Sequence, residues 1–230
     1  MNASPDKTNI DPVWVKVAAA DSPEAAKAVA DFVCSGEHDE ETIQRAIDLG
    51  LKETGVTLME MVAKMDAGEM YDKIVVPIDD EDNYTSLCEK ISSAAKELII
   101  KVLLVVVNGA LPGEEQDEAQ VTVAAKILPE DEKLDFFLPA SSVLNRIRAL
   151  SLTPGAYAYL DGKKIKILGA YPALLDDGVP GEVVSTHRGF FVSCNPGVLG
   201  LTLVQLEGKK PCDGKSFVNG YRDLQGKILS

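Results

Sequence analysis

Asp66 stands in the stretch KMDAGEMYDK, Lys64 to Lys73, a short Gly-containing turn between two apolar segments. A carboxylate there either serves the turn, where Asp and Gly recur for backbone reasons, or forms part of an acid–base pair. A pair needs a partner, and the chain has only two histidines. His38 lies in GEHDEE, between a helix stop and a helix start, with three acids directly after it that favour its charged form. It reads either as a replacement base or as a solvated loop residue. His187, in Ser-Thr-His-Arg-Gly, reads as a hairpin residue. Cys34, Cys88, Cys194 and Cys212 form no Cys-x-x-Cys pair and have no His at ligand spacing. Neither a metal site nor a disulfide framework is expected from them.

Cationic side chains gather late in the chain: Lys163, Lys164, Lys166, Arg188, Lys209, Lys210 and Lys215. The net charge of −13 argues against whole-surface attraction to nucleic acid. Residues 151–230 nevertheless carry nine Lys and Arg against seven Asp and Glu, while residues 1–150 carry fourteen against twenty-nine. An anionic partner would therefore prefer the last part. In KKIK, Lys164 and Lys166 share one face of a strand and Lys163 points away.

The elements that must position these groups follow from pattern. VWVKVAA, Val13 to Ala19, reads as a strand, and Ser22-Pro23-Glu24 opens a helix running to about Cys34. A second helix spans Asp39 to Gly50, with Asp39 or Thr42 as cap. Strands at Thr54–Met61 and Tyr71–Ile78 flank the Asp66 turn. The run DDED, Asp79 to Asp82, reads as a solvated loop at a helix entry. A long helix spans Tyr84 to Val107, LPGEEQDE is the linker candidate, and a helix covers Pro139 to Leu150. GAYAYLDGKKIKILGA is a hairpin signature around Asp161-Gly162. GEVVST, GFFVSC and LTLVQLEG are further short strands, which suggests a small closed barrel or sandwich. The polar start MNASPDKTNIDP shows no secretory h-region, and Leu98–Val107 is too short to span a membrane, so a cytoplasmic location is expected.

Several of these stretches resemble the methionyl-tRNA formyltransferase family. TIQRAIDLGLKETGVTLMEMVAKMDAGEMYDKIVVPI is similar to the second half of that family's catalytic domain. QDEAQVTVAAKILPEDEKLDF resembles its linker, with Phe136 where the family usually has Trp. NRIRALSLTPGAYAYLDGKKIKIL resembles the entry to its C-terminal barrel, and EGKKPCDGKSFVNGYRDLQGKIL the closing segment. The likeness runs from about Thr42 to Leu229 and keeps the family's order.

The resemblance implies an α/β residual formyltransferase domain followed by a small OB-like β-barrel. The implied parts are a non-family segment at 1–41, the second half of a catalytic domain at 42–110, a linker at 111–138 and the barrel at 139–230. It implies formyl transfer from 10-formyltetrahydrofolate to the amino group of methionine on initiator tRNA. It places Asp66 on the family's catalytic Asp, which orients a His working with an Asn. It implies weak tRNA contact through Lys163, Lys164, Lys166, Arg188, Lys209 and Lys210, with no DNA or membrane partner. The sequence departs from the family where FVCSGEHDEET precedes Ile43: Asn-x-His, Ser-Leu-Leu-Pro and Gly-Ala-Ala-Pro are all missing. An isolated chain is therefore expected to be inactive. The alternatives are a tRNA-binding module or one subunit of a split enzyme with a separate N-terminal half, an enzyme rebuilt around His38, and a formyltransferase acting on a sugar-nucleotide amine.

Overall fold

The computed structural model describes residues 37–60, 68–108, 110–117, 119, 124–151, 153–185 and 187–230. The strand read at Val13 to Ala19, the helix from Ser22 and Asp66 itself lie outside them. Two compact units are present. One takes in Thr54–Val76 and Cys88–Val123, the other Glu41–Glu53, Pro77–Leu87 and Ala124–Ser230.

In the first unit β1 (Glu53–Met59) and β2 (Met70–Pro77) form a two-stranded sheet. Most of α2 (Tyr84–Val107) belongs here. Ile91, Ala94, Ala95, Leu98 and Val102 are buried. Their spacing makes one apolar stripe at helical period. Ile100 and Val105 point to solvent.

The second unit begins within α1 (Glu37–Asp48). This helix starts ahead of both expected caps, so Thr42 sits inside it and His38 is a helical residue. Its end is as read, with Gly50 at φ +69°. The DDED reading holds for Asp79, Asp80 and Glu81 but not for Asp82, which is buried. Asp82 accepts hydrogen bonds from the Asp79 amide and the Ser86 hydroxyl, both at 2.8 Å. Asn83 Oδ1 caps α2 by accepting from the Ser86 amide at 3.1 Å, while Ser86 Oγ accepts from the Asn83 amide at 3.1 Å.

The rest of this unit is α3 (Ala140–Ala149) and an antiparallel sheet. Its strands are β3 (Tyr157–Leu160), β4 (Lys163–Ala173), β5 (Val183–Ser185), β6 (Phe190–Ser193), β7 (Val198–Leu206) and β8 (Cys212–Asp213). The order is β3-β4-β7-β6-β5, with β8 on β7. Asp161 and Gly162 both have positive φ, 50° and 76°, as a type I′ turn requires. Ile165, Ile167, Phe190, Val192, Leu199 and Val204 line the core, together with Val143 and Ile147 from α3 and Leu150 just after it.

The last residues join the two edges of this sheet. Ser230 exchanges both backbone hydrogen bonds with Tyr159, at 2.7 and 3.0 Å. Leu229 donates to the Gly181 carbonyl at 2.8 Å, and Val183 donates to the Lys227 carbonyl at 2.8 Å. Gly181 has φ +84°, and a Cβ there would meet the Leu229 carbonyl oxygen at 2.3 Å, so only glycine admits the tail. The helix α4 (Gly214–Gly220), absent from the sequence reading, is capped by Asp213, which accepts from the Ser216 amide at 2.9 Å.

A polar latch holds this tail. Asp161 Oδ2 accepts from the Tyr221 hydroxyl at 2.7 Å and from the Lys227 ammonium. The Lys227 and Tyr221 hydrogen bonds hold the Asp161 carboxyl below its usual range. The same bond to Asp161 holds Lys227 above its own. For Asp161 the folded state binds the proton less tightly, so its stabilisation is complete above the unfolded value of about 4. It is lost as pH falls through the folded value. For Lys227 the stabilisation is complete below about 10 and lost as pH rises through the raised value. We expect the melting temperature of the native chain to exceed that of Asp161→Asn at neutral pH, with the gap closing on acidification below about pH 4. A gap that stays constant from pH 7 to pH 2.5 would remove the latch.

Candidate functional site

The Asp66 turn is approached through its described flanks. The Glu60 amide donates to the Glu69 carbonyl at 2.9 Å. Gln116 Nε2 donates to the Gly68 carbonyl at 2.8 Å. Met70 and Glu114 exchange both backbone bonds at 2.8 Å, so part of the stretch read as linker pairs with β2. A Cβ on Gly68 would lie 1.8 Å from the Glu60 carbonyl oxygen. The glycine of MDAGEM is therefore demanded by close backbone approach, whatever Asp66 does. Tyr71, at the foot of the turn, has its hydroxyl pKa raised by desolvation and by the charges of Glu60 and Glu69. His187 is exposed in the bend before β6.

The cationic candidates all fall in the second unit. Lys164 and Lys166 are half-buried and alternate with the fully buried Ile165 and Ile167, so the two lysines share the outer face of β4. Lys166 Nζ donates to the Pro154 carbonyl at 2.6 Å. Lys163, exposed, opens the strand. Glu207 donates its amide to the Lys164 carbonyl at 2.8 Å, which brings the exposed Lys209 and Lys210 to the same end of the sheet. Arg188 is exposed before β6, one strand further on. Glu207 stands among these cations.

Sequence reasoning missed the aromatic neighbours of this face. Tyr157 and Tyr159 both turn outward from β3, opposite Lys166 and Lys164 respectively. The signal was present: a two-residue I′ turn fixes register, so Tyr at i and i+2 must face Lys at i and i+2. It also missed a cleft of about 940 Å³ in this unit, lined by Lys52, Asp80, Asn145, Arg148 and Tyr171 among others. Lys52 and Asp80 pair there at 2.8 Å, and Arg148 donates to the Asp80 carbonyl. Desolvation lowers the Arg148 pKa. Burial pushes the Cys194 thiol up to about 12, which leaves it a poor nucleophile. Among the described residues no cluster of three or more His, Cys, Asp or Glu is placed to hold a metal ion. None of the described helices is long and apolar enough to cross a membrane.

The family profile described as formyl transferase matches residues 38–103. The profile of the formyl transferase C-terminal domain matches residues 126–222. The chain belongs to the formyl transferase family. Methionyl-tRNA formyltransferase of Streptococcus pneumoniae (strain ATCC 700669 / Spain 23F-1) is 40% identical over 179 residues, covering 77% of this chain and 57% of that protein. The chain thus spans a little over half the length of the curated relatives it matches. HypX from Aquifex aeolicus, solved in complex with tetrahydrofolic acid, matches with a TM-score of 0.63 at 19% identity over 83% of this chain and 36% of that one. An N-formyltransferase from Helicobacter canadensis, solved with folinic acid and dTDP-3-aminofucose, matches with a TM-score of 0.55 at 18% identity over 70% of this chain and 60% of that one. At these identities the two structures show the fold: a formyl transferase with N-terminal and C-terminal parts.

Proposed function

We propose that this chain serves formylation of initiator methionyl-tRNA, supplying the Asp66 turn and a tRNA-contacting OB-like barrel. The observation that carries this reading is the 40% identity to methionyl-tRNA formyltransferase over 77% of the chain. The likeness to sugar formyltransferases is one of fold alone and does not favour a sugar-nucleotide amine as acceptor. Five antiparallel strands whose edges are bridged by the tail support an OB-like description of the barrel. Lys163, Lys164, Lys166, Arg188, Lys209 and Lys210 would meet phosphates at one end and along one face, and a cytoplasmic location goes with this role.

The co-substrate in this reading is 10-formyltetrahydrofolate, and the HypX neighbour is a tetrahydrofolate complex. The cleft is lined by Lys52, Asp80, Arg148, several hydroxyls and apolar side chains such as Leu144 and Leu168, and no imidazole lines it. Asn-x-His is missing from the sequence, so Asp66 has no imidazole from that motif to orient. Asp66 performs no proton transfer by itself, and the reaction needs the Asn and His of a folate-binding half that these 230 residues do not include.

The purified chain, incubated with initiator Met-tRNA and 10-formyltetrahydrofolate beside an intact family enzyme, should form no formyl-methionine. Formation of product that His38→Ala abolishes would replace this reading with a rebuilt active site. The tRNA should shift in a gel at low salt, and Lys163→Glu, Lys164→Glu and Lys166→Glu together should abolish the shift. A shift that survives the triple variant would remove barrel contact through these lysines.

A further inference from the structure

The geometry points to a stacking platform for two or three unpaired nucleotides on the outer face of β3 and β4, centred on Tyr159. The proposal rests on the reading that this face meets RNA, and it names what part of an RNA would sit there.

Five side chains build the platform. Tyr157 and Tyr159 meet edge to face, with ring centroids 5.7 Å apart. Tyr159 is 37% exposed although its strand neighbours Ala158 and Leu160 are fully buried. Lys164 Nζ stands 3.6 Å over the Tyr157 ring, and Lys133 Nζ stands 5.7 Å from the Tyr159 centroid. Lys133 reaches this face because residues 132–134 pair with β3: Tyr157 donates to the Glu132 carbonyl and Leu134 to the Tyr157 carbonyl, both at 2.8 Å. Lys166 lies opposite Tyr157 and is tied to the Pro154 carbonyl. The backbone frame is therefore bonded on both sides, by residues 132–134 and Ser230 on one and by β4 on the other.

One exposed ring, Tyr159, beside the half-buried Tyr157 and interleaved with lysines offers the parts a single strand needs. A base stacks on a ring whatever its identity, and the neighbouring ammonium groups meet the phosphates. A duplex offers no free base faces to such a site. Acids bound the platform: Glu132 beside Tyr157, Glu207 beside Lys164, and Asp161 in the turn, where Lys227 already bonds it. These acids cap the electrostatic contribution at about two or three phosphates, for a salt slope of roughly −2. Stacking, not charge, then supplies the larger share of affinity.

The test is fluorescence anisotropy of a labelled A6 RNA and of a duplex of the same length, with the full chain. The single strand should bind more tightly than the duplex. Tyr159→Ala should weaken single-strand binding about tenfold, and Tyr159→Phe should leave it within about twofold. Irradiation with a 5-iodouracil hexamer should crosslink to Tyr159 in the unaltered chain, which keeps the proposal testable if the alanine variant misfolds. Duplex preference, unchanged affinity in a folded Tyr159→Ala, or crosslinks confined elsewhere would each overturn the platform. A tRNA shift that needs the three lysines but not Tyr159 removes the platform and leaves the tRNA reading standing. Loss of both tRNA and hexamer binding removes both.

Discussion

Phe190→Ala should lower the stability of the second unit by about 3–5 kcal/mol, read from urea unfolding followed by circular dichroism. Phe190 is 1% exposed and the largest of the fully buried side chains. Its ring lies parallel to that of Phe217, with centroids 5.2 Å apart and planes 7° from each other. Phe217 stacks in turn on Tyr221 at 5.4 Å. The truncation therefore removes buried apolar surface and opens a cavity that β6 and β7, paired in register from Phe190 to Ser193, cannot collapse to fill. It also takes away the surface on which α4 rests. Through Tyr221 that helix reaches the Asp161 latch, so the tail should loosen in the same variant. Phe190→Leu keeps most of the volume and should cost less than about 2 kcal/mol. A loss under about 1 kcal/mol for the alanine variant would mean the stack is not a core element.

What the sequence shows and what it hides divides along the range of the interaction. The hairpin at Asp161-Gly162 was legible because its signal is local: two residues suited to positive φ between alternating runs. The long helix Tyr84–Val107 was read with its observed bounds, since its periodicity is also local. The start of α1 was misplaced because the backbone is already helical at Glu37, ahead of the two residues, Asp39 and Thr42, that have the composition of a cap. The burial of Asp82 was invisible because DDED has a solvated composition, and only the bonds from Asp79 and Ser86 draw one of the four inward. The closure of the sheet by residues 227–230 depends on partners 44 to 71 positions away, and no short window of sequence contains both. For the candidate site, the glycine after Asp66 was seen as a turn residue. Its real constraint is the Glu60 carbonyl across the hairpin. The lysines were found by charge, but the tyrosines facing them were passed over as strand formers.

Asp48→Ala should cost about 3 kcal/mol in the same unit, by taking from Arg146 the carboxylate that binds it through two bonds. Asp48 is 8% exposed and holds Arg146 at both carboxylate oxygens, at 2.5 and 2.9 Å, across 98 positions of sequence. Arg45 reaches the same carboxylate at 3.4 Å and bonds Asp131 at 2.8 Å and the Ala125 and Lys126 carbonyls at 2.8 and 2.9 Å. Arg146 also donates to the Asp131 carbonyl. One carboxylate thus ties the end of α1 to α3 and to the 124–131 segment. An exposed ion pair would be worth a fraction of this. Here the acid is buried and Arg146 is only 25% exposed, so deletion leaves a guanidinium that water solvates poorly. Asp48→Asn keeps the shape but presents an amide donor to guanidinium donors, and should lose about 2 kcal/mol. In a double-mutant cycle with Arg146→Met, the pair should cost less than the sum of its parts by at least about 1.5 kcal/mol, because the second change removes the stranded charge. Strict additivity would show that Asp48 acts through local helix packing and not through Arg146.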